Sequence, residues 1–153
     1  MLFLLYTQLF TFFPGVMLEK ILSFTSFSWG LVIYLIIFNG SDTIFKKIAG
    51  NRKLYSMKLV IFLFCLRFVN CGFYILLANG YDKFSFIQSD WFALLNTFMV
   101  GSINGFCTTA FFVLGPEKVK GPDKEKVGFL SVLGLLSGIF LGSLLAIPFS
   151  KLN

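Results

Sequence analysis

Few residues in this sequence could do chemistry, and those that could stand inside or against apolar runs. Asp42 and Lys46 are four residues apart, a spacing that puts two side chains on one face of a helix. Asn39 comes one turn earlier, and Asn70, Asn96 and Asn104 place further amide groups in later runs. Arg67 stands alone well inside an apolar run, too far from either end to snorkel easily to a headgroup. A charge at mid-membrane costs ~2.5–3.5 kcal/mol on insertion scales, so Arg67 requires a partner or an aqueous cavity. Its two readings are a structural ion pair that locks helices together, and part of a substrate pathway or gate. Asp42 also has two. If its helix stops early it is an interfacial carboxylate beside Lys46 and Lys47. If the helix runs on to Ala49, Asp42 lies inside the bundle and is the obvious partner for Arg67. Asparagines in membrane helices are usually interhelical glue, although four of them are also consistent with a polar route through the bundle.

Other chemistry has little support. The chain lacks histidine, and it shows no paired intramembrane carboxylates, no HExxH, no GxSxG and no glycine-rich phosphate loop. It therefore reads as a non-enzyme that needs no cofactor and no metal. Cys65, Cys71 and Cys107 all fall in apolar runs without CxxC spacing, and read as small hydrophobes.

The elements that must position these groups follow from composition. Of the 153 residues, 57% are hydrophobic and 13% charged, whereas a soluble domain is about 45–50% apolar and about 25% charged. A water-soluble domain of this size could not hide so much apolar surface, and its 22 phenylalanines suit lipid-facing helices. Five runs are expected to be transmembrane helices, at 2–18, 22–47, 57–79, 91–115 and 127–149, forming a single membrane domain over 1–153. They are continuous rather than alternating, which argues against a β-barrel.

Short polar connections separate the runs. The second and fourth hold Lys46, Lys47, Arg52, Lys53, Lys58, Lys118, Lys120, Lys124 and Lys126; against these nine, the other side holds Lys20, Lys83 and Lys151. The positive-inside bias then makes the nine-cation side cytoplasmic and the C-terminus extracytoplasmic. The net charge of +6 belongs to these loops and forms no aromatic-studded stripe, so nucleic acid is not a partner. Gly134, Gly138 and Gly142 make a small-residue face at four-residue spacing, repeated by Gly101 and Gly105. Such faces let helix backbones approach closely; a hinge or gliding seam is the alternative. The first run is apolar from Leu2 and has no basic leader, so a cleaved signal peptide fits badly; a fragment, a truncated chain or half of a split protein is expected.

Several local patterns occur in a fixed order. They are Phe13-Pro14-Gly15-Val16, then Phe38-Asn39-Gly40-Ser41-Asp42-Thr43-Ile44-Phe45-Lys46, then Arg67 in a run that closes at Ala78-Asn79. Asp90-Trp91-Phe92, Asn104-Gly105-Phe106 and Gly115-Pro116-Glu117-Lys118-Val119 follow, and then a glycine-rich run from Glu125 to Gly142. Each is weak alone, but the series resembles the C-terminal half of the equilibrative nucleoside transporters, from their seventh helix to their eleventh. The resemblance implies an all-α integral membrane fold, half of a major-facilitator-like transporter, in which two halves rock around a site at the bilayer midplane. It implies facilitated diffusion of nucleosides by alternating access, as part of a larger carrier completed by a missing N-terminal half or a partner chain. Asp42 would accept hydrogen bonds from ribose hydroxyls and Lys46 would donate one, with Asn39 in the same substrate-binding group. Arg67 would order the bundle or a gate. The family's Gly-Arg stands here as Phe45-Lys46, which keeps the charge but loses the planar fork of arginine. The plasma membrane is the expected location, ahead of an organelle. The runner-up function is a non-transporting subunit or degenerate half-transporter with a structural role.

Overall fold

A computed structural model describes residues 1–13, 22–78, 86–121 and 123–149. It contains α1 (Leu2–Phe12), α2 (Phe27–Ala49), α3 (Met57–Ala78), α4 (Asp90–Glu117) and α5 (Asp123–Phe149), with a 3-10 turn at Arg52–Leu54. Among the described residues there is no strand.

Local chemistry explains the helix ends. Ser89 caps α4 by accepting a hydrogen bond from the Phe92 amide at 3.2 Å, and Asp90 adds negative charge to the first turn. Lys46 and Lys47 sit in the last turn of α2, where cations are favoured. Asp123 and Glu125 occupy the first turn of α5. The helix therefore begins within the polar segment expected to be loop, and α4 likewise runs two residues past Gly115. At the other boundary, α2 starts at Phe27, because residues 22–26 turn before it.

Four helices are long and apolar enough to cross a membrane: Phe27–Ala49, Met57–Leu77, Asp90–Glu117 and Asp123–Pro148. The expected fifth, over 2–18, is represented by an α1 of 11 residues, roughly 16 Å at 1.5 Å per residue against a hydrocarbon core of about 30 Å. Residues 14–18, with Pro14, lie outside the described residues, as do Lys20, Lys83, Asn79 and Lys151. The chain is thus an all-α, multi-pass membrane bundle with four membrane-length helices and one shorter apolar helix.

The centre of this bundle is α4, which is buried on most of its circumference from Ala93 to Leu114. Helix α2 runs along it, α3 and α5 also pack on it, and α1 pairs with α5. One apolar cluster gathers Val60, Phe64, Ile103, Phe106 and Phe111 with Leu2 and Leu5. A second gathers Tyr34, Phe38, Tyr74, Leu77 and Val100 with Leu9. The outer surface is apolar, with Phe62, Phe129, Leu130 and Phe140 exposed, as suits a surface in a lipid bilayer. Trp29 and Trp91 project near the starts of α2 and α4, at the end where Ser23 bonds to Asp90. Tryptophans so placed belong at a membrane–water interface.

Two glycine seams set the helix spacing. A Cβ on Gly101 would lie 2.7 Å from the Phe38 carbonyl oxygen, and one on Gly105 would overlap the Asp42 carbonyl. On α5, a Cβ on Gly142 would meet the Thr7 carbonyl oxygen at 2.6 Å, and one on Gly138 would overlap that of Phe3. Gly134 differs, since a Cβ there stays 3.7 Å from its nearest neighbour. Gly138→Ala is therefore expected to destabilise the purified chain by about 1–3 kcal/mol, the usual cost of overpacking, while Gly134→Ala leaves it unchanged. Unfolding of both variants in mixed micelles on titration with SDS checks the contrast.

Candidate functional site

Because α2 continues to Ala49, Asp42 is carried inside the bundle, where the residue is 7% exposed. The Gly105 seam brings its backbone against α4, within reach of Asn104. Arg67 arrives from α3 and is 0% exposed. The three are joined in series. Arg67 Nη1 donates to Asn104 Oδ1 at 2.9 Å, and Asn104 Nδ2 donates to Asp42 Oδ1 at 2.8 Å. Lys46 Nζ closes the line on Asp42 Oδ2 at 2.5 Å, from one turn along the same helix.

Proton inventory dictates the order. A guanidinium only donates and a carboxylate only accepts, so the amide between them must turn its oxygen to Arg67 and its nitrogen to Asp42. The carboxylate and the two cations Lys46 and Arg67 leave the group with one surplus positive charge. Arg67 Nε and Nη2 find no hydrogen-bond partner among the described residues, with Tyr6, Cys71, Tyr74 and Cys107 as the guanidinium's other electrostatic neighbours. Nearby, Asn96 Nδ2 donates to the Asn70 carbonyl at 3.4 Å, a further α3–α4 tie.

Asn39 does not join this cluster. It lies on the exposed side of α2 and donates to its own helix, at the Leu35 carbonyl, 2.8 Å away. Thr43 and Lys46 follow it there at helical spacing, giving α2 a polar strip on its outer surface. The Lys46 side chain is 43% exposed and that of Asp42 10%, so Asp42 stands where strip and interior meet.

The residue whose role sequence reasoning did not single out is Asn104, read with the other asparagines as interhelical glue or part of a polar route. Its signal was its position next to Gly105. An amide beside a packing glycine is held at the point of closest helix approach, where it can span two partners.

At the basic end, Arg52 Nε meets both Glu117 oxygens at 2.9 Å and joins the α2–α3 connection to the end of α4. Both cation-rich connections therefore share one end of the bundle. The pair is nearly half exposed, so Arg52→Gln is expected to cost under about 1 kcal/mol. That loss should shrink further in high salt, as thermal melts at two ionic strengths would show. Among the described residues no group of His, Cys, Asp and Glu could hold a metal ion.

The chain is similar to a set of transporters. It is 26% identical over 143 residues to Equilibrative nucleotide transporter 3 of Arabidopsis thaliana, covering 92% of this chain and 32% of that protein. It is 27% identical over 141 residues to Equilibrative nucleotide transporter 7 of the same plant, covering 91% and 32%. With Equilibrative nucleoside transporter 4 of Danio rerio it shares 27% identity over 134 residues, covering 88% and 26%. The chain thus spans about a third of the length of the curated relatives it matches. No family model and no solved structure matches it.

Proposed function

Proceeding from a family-level match to equilibrative nucleotide and nucleoside transporters, not to enzymes, we propose that the chain is part of a carrier moving nucleosides by facilitated diffusion. The observation that carries the reading is Asp42, a buried carboxylate at the inner margin of the exposed strip Asn39–Thr43–Lys46. A polar strip that starts at the middle of a spanning helix and runs to its last turn is costly against lipid and is tolerated where it lines an aqueous cavity. Helices from a longer version of this protein, or from a partner chain, supply the opposite wall, in a major-facilitator-like arrangement with α1 as the short member of a five-helix half. The basic end faces the cytoplasm, the C-terminus lies outside, and the plasma membrane is the location.

The mechanism follows from which Asp42 oxygen is free to exchange. Asn104 is buried and holds Oδ1, while Lys46 is part-exposed and holds Oδ2. Ribose hydroxyls entering from the strip displace the lysine from Oδ2, donate their own hydrogens to that oxygen, and accept a hydrogen bond from the Lys46 ammonium on their oxygens. A sugar without hydroxyls strands the carboxylate, and sites built this way discriminate strongly. Asn39 contributes an amide to the same cavity wall. As the halves rock, the Lys46–Asp42 pair reforms behind the departing substrate.

A non-transporting subunit is the second reading. Its support is that both Asp42 oxygens are already satisfied within the chain. The deciding test is saturable uptake of radiolabelled nucleoside into uptake-deficient cells expressing the chain with its complementary helices. Uptake that other nucleosides compete supports the carrier, and its absence leaves the subunit. Transport by the 153-residue chain alone in liposomes would overturn the requirement for a second wall.

A further inference from the structure

We infer that Arg67 is a positioning residue for Asp42 and acts on it through Asn104, fixing the direction in which the carboxylate presents its second oxygen, the one Lys46 holds. The functional consequence rests on the carrier reading above. The geometric claim does not.

A fully buried guanidinium that only locked helices together would be served best by a carboxylate of its own. Among the described residues Arg67 has none: its one side-chain acceptor there is the neutral Oδ1 of Asn104, and two of its nitrogens have no partner. What that one bond does is orient an amide. With Arg67 present, Asn104 can turn only its NH2 toward α2, and Asp42 Oδ1 is held at 2.8 Å. Without a donor at position 67, the carboxylate still draws the amide NH2 to itself, but Asn104 Oδ1 loses its anchor on α3 and the amide is no longer pinned in place. Asp42 and the amide can then turn together. Asp42 Oδ2 would leave the margin of the strip where Lys46 and a substrate hydroxyl compete for it.

The groups that bear on Asp42 come from two helices: Lys46 on its own, and Asn104, backed by Arg67, from α4. Loss of either link in the Arg67–Asn104 series should therefore have the same effect on Asp42. A purely structural arginine would not share its phenotype with an uncharged neighbour.

The test has two readouts. Infrared difference spectra of the 153-residue chain in nanodiscs, with Asp42→Asn as the subtraction, isolate the Asp42 carboxylate band. Arg67→Leu is expected to shift that band, and Arg67→Lys, which keeps a donor, to restore it. In cells, the ratio of nucleoside to dideoxynucleoside uptake is expected to fall about tenfold in Arg67→Leu and to recover in Arg67→Lys. Poor folding lowers both rates and leaves the ratio alone. Should Arg67→Leu fail to insert, Asn104→Gln carries the same test, because it keeps the amide and shifts it off Asp42. An unmoved carboxylate band overturns the inference whatever the uptake shows. A moved band with an unchanged ratio overturns the role in recognition. If the parent protein takes up no nucleoside, the carrier reading fails and the band alone decides the geometric claim.

Discussion

Asp42→Ala is expected to abolish nucleoside uptake, a loss of at least about 100-fold per inserted molecule. The carboxylate accepts from Asn104 on one oxygen and from Lys46 on the other, so alanine removes the meeting point of α2 with the α3–α4 pair. It also leaves the buried Arg67 charge with no anion at the far end of its hydrogen-bond series, which destabilises the folded chain further. Part of the loss could then be poor folding. Asp42→Asn separates the two effects. Its amide oxygen can still accept from Asn104, while its NH2 faces the Lys46 ammonium, donor against donor. This variant should fold, insert and still fail to transport. Uptake corrected for the amount of protein at the cell surface gives the answer, and normal uptake by both variants would favour the non-transporting subunit.

The second large effect is expected at the α2–α4 seam. Gly105→Leu should destabilise the bundle by about 3 kcal/mol or more, at the upper end for an overfilled interior. The group in the way is the Asp42 carbonyl, which is backbone, so no side chain can swing aside. Helix α2 must retreat, and its retreat takes Asp42 out of reach of Asn104. Stability and transport are therefore lost together. Gly72→Leu is the control, since nothing lies within 4 Å of a Cβ there. SDS-titrated unfolding of the two variants decides the matter: equal midpoints would mean that the seam does not hold the helices.

The run of apolar residues made the helices legible, and the loop charges foretold that Arg52 and Glu117 would sit at one end of the bundle. The fate of Asp42 was legible as a choice, which the continuation of α2 to Ala49 resolved in favour of the interior. The direct Asp42–Arg67 contact expected in that case is replaced by one through Asn104. Sequence spacing cannot show such a bridge, because it depends on how closely two helices approach and at what height. Asn39 illustrates the same limit. It lies one turn from Asp42 but on the outer side of α2, since helix rotation is set by what packs against the helix. The start of α5 at Asp123 was hidden by charge, which reads as loop even where acidic residues favour a helix N-terminus.

The pairing of α1 with α5 bears on how the protein is made. Thr11 lies 3.5 Å from the Gly142 carbonyl across 131 residues of sequence. On the ribosome, α1 emerges before α5 and must wait in the bilayer until α5 has been synthesised, because α5 carries the glycine groove into which its backbone fits. The α2–α4 contact closes earlier and over a shorter loop. Among these five helices assembly is therefore ordered, the α2–α4 contact closing before α5 captures α1. A chain stalled between the two steps displays the unmatched groove-filling face of α1 to the quality-control machinery of the membrane.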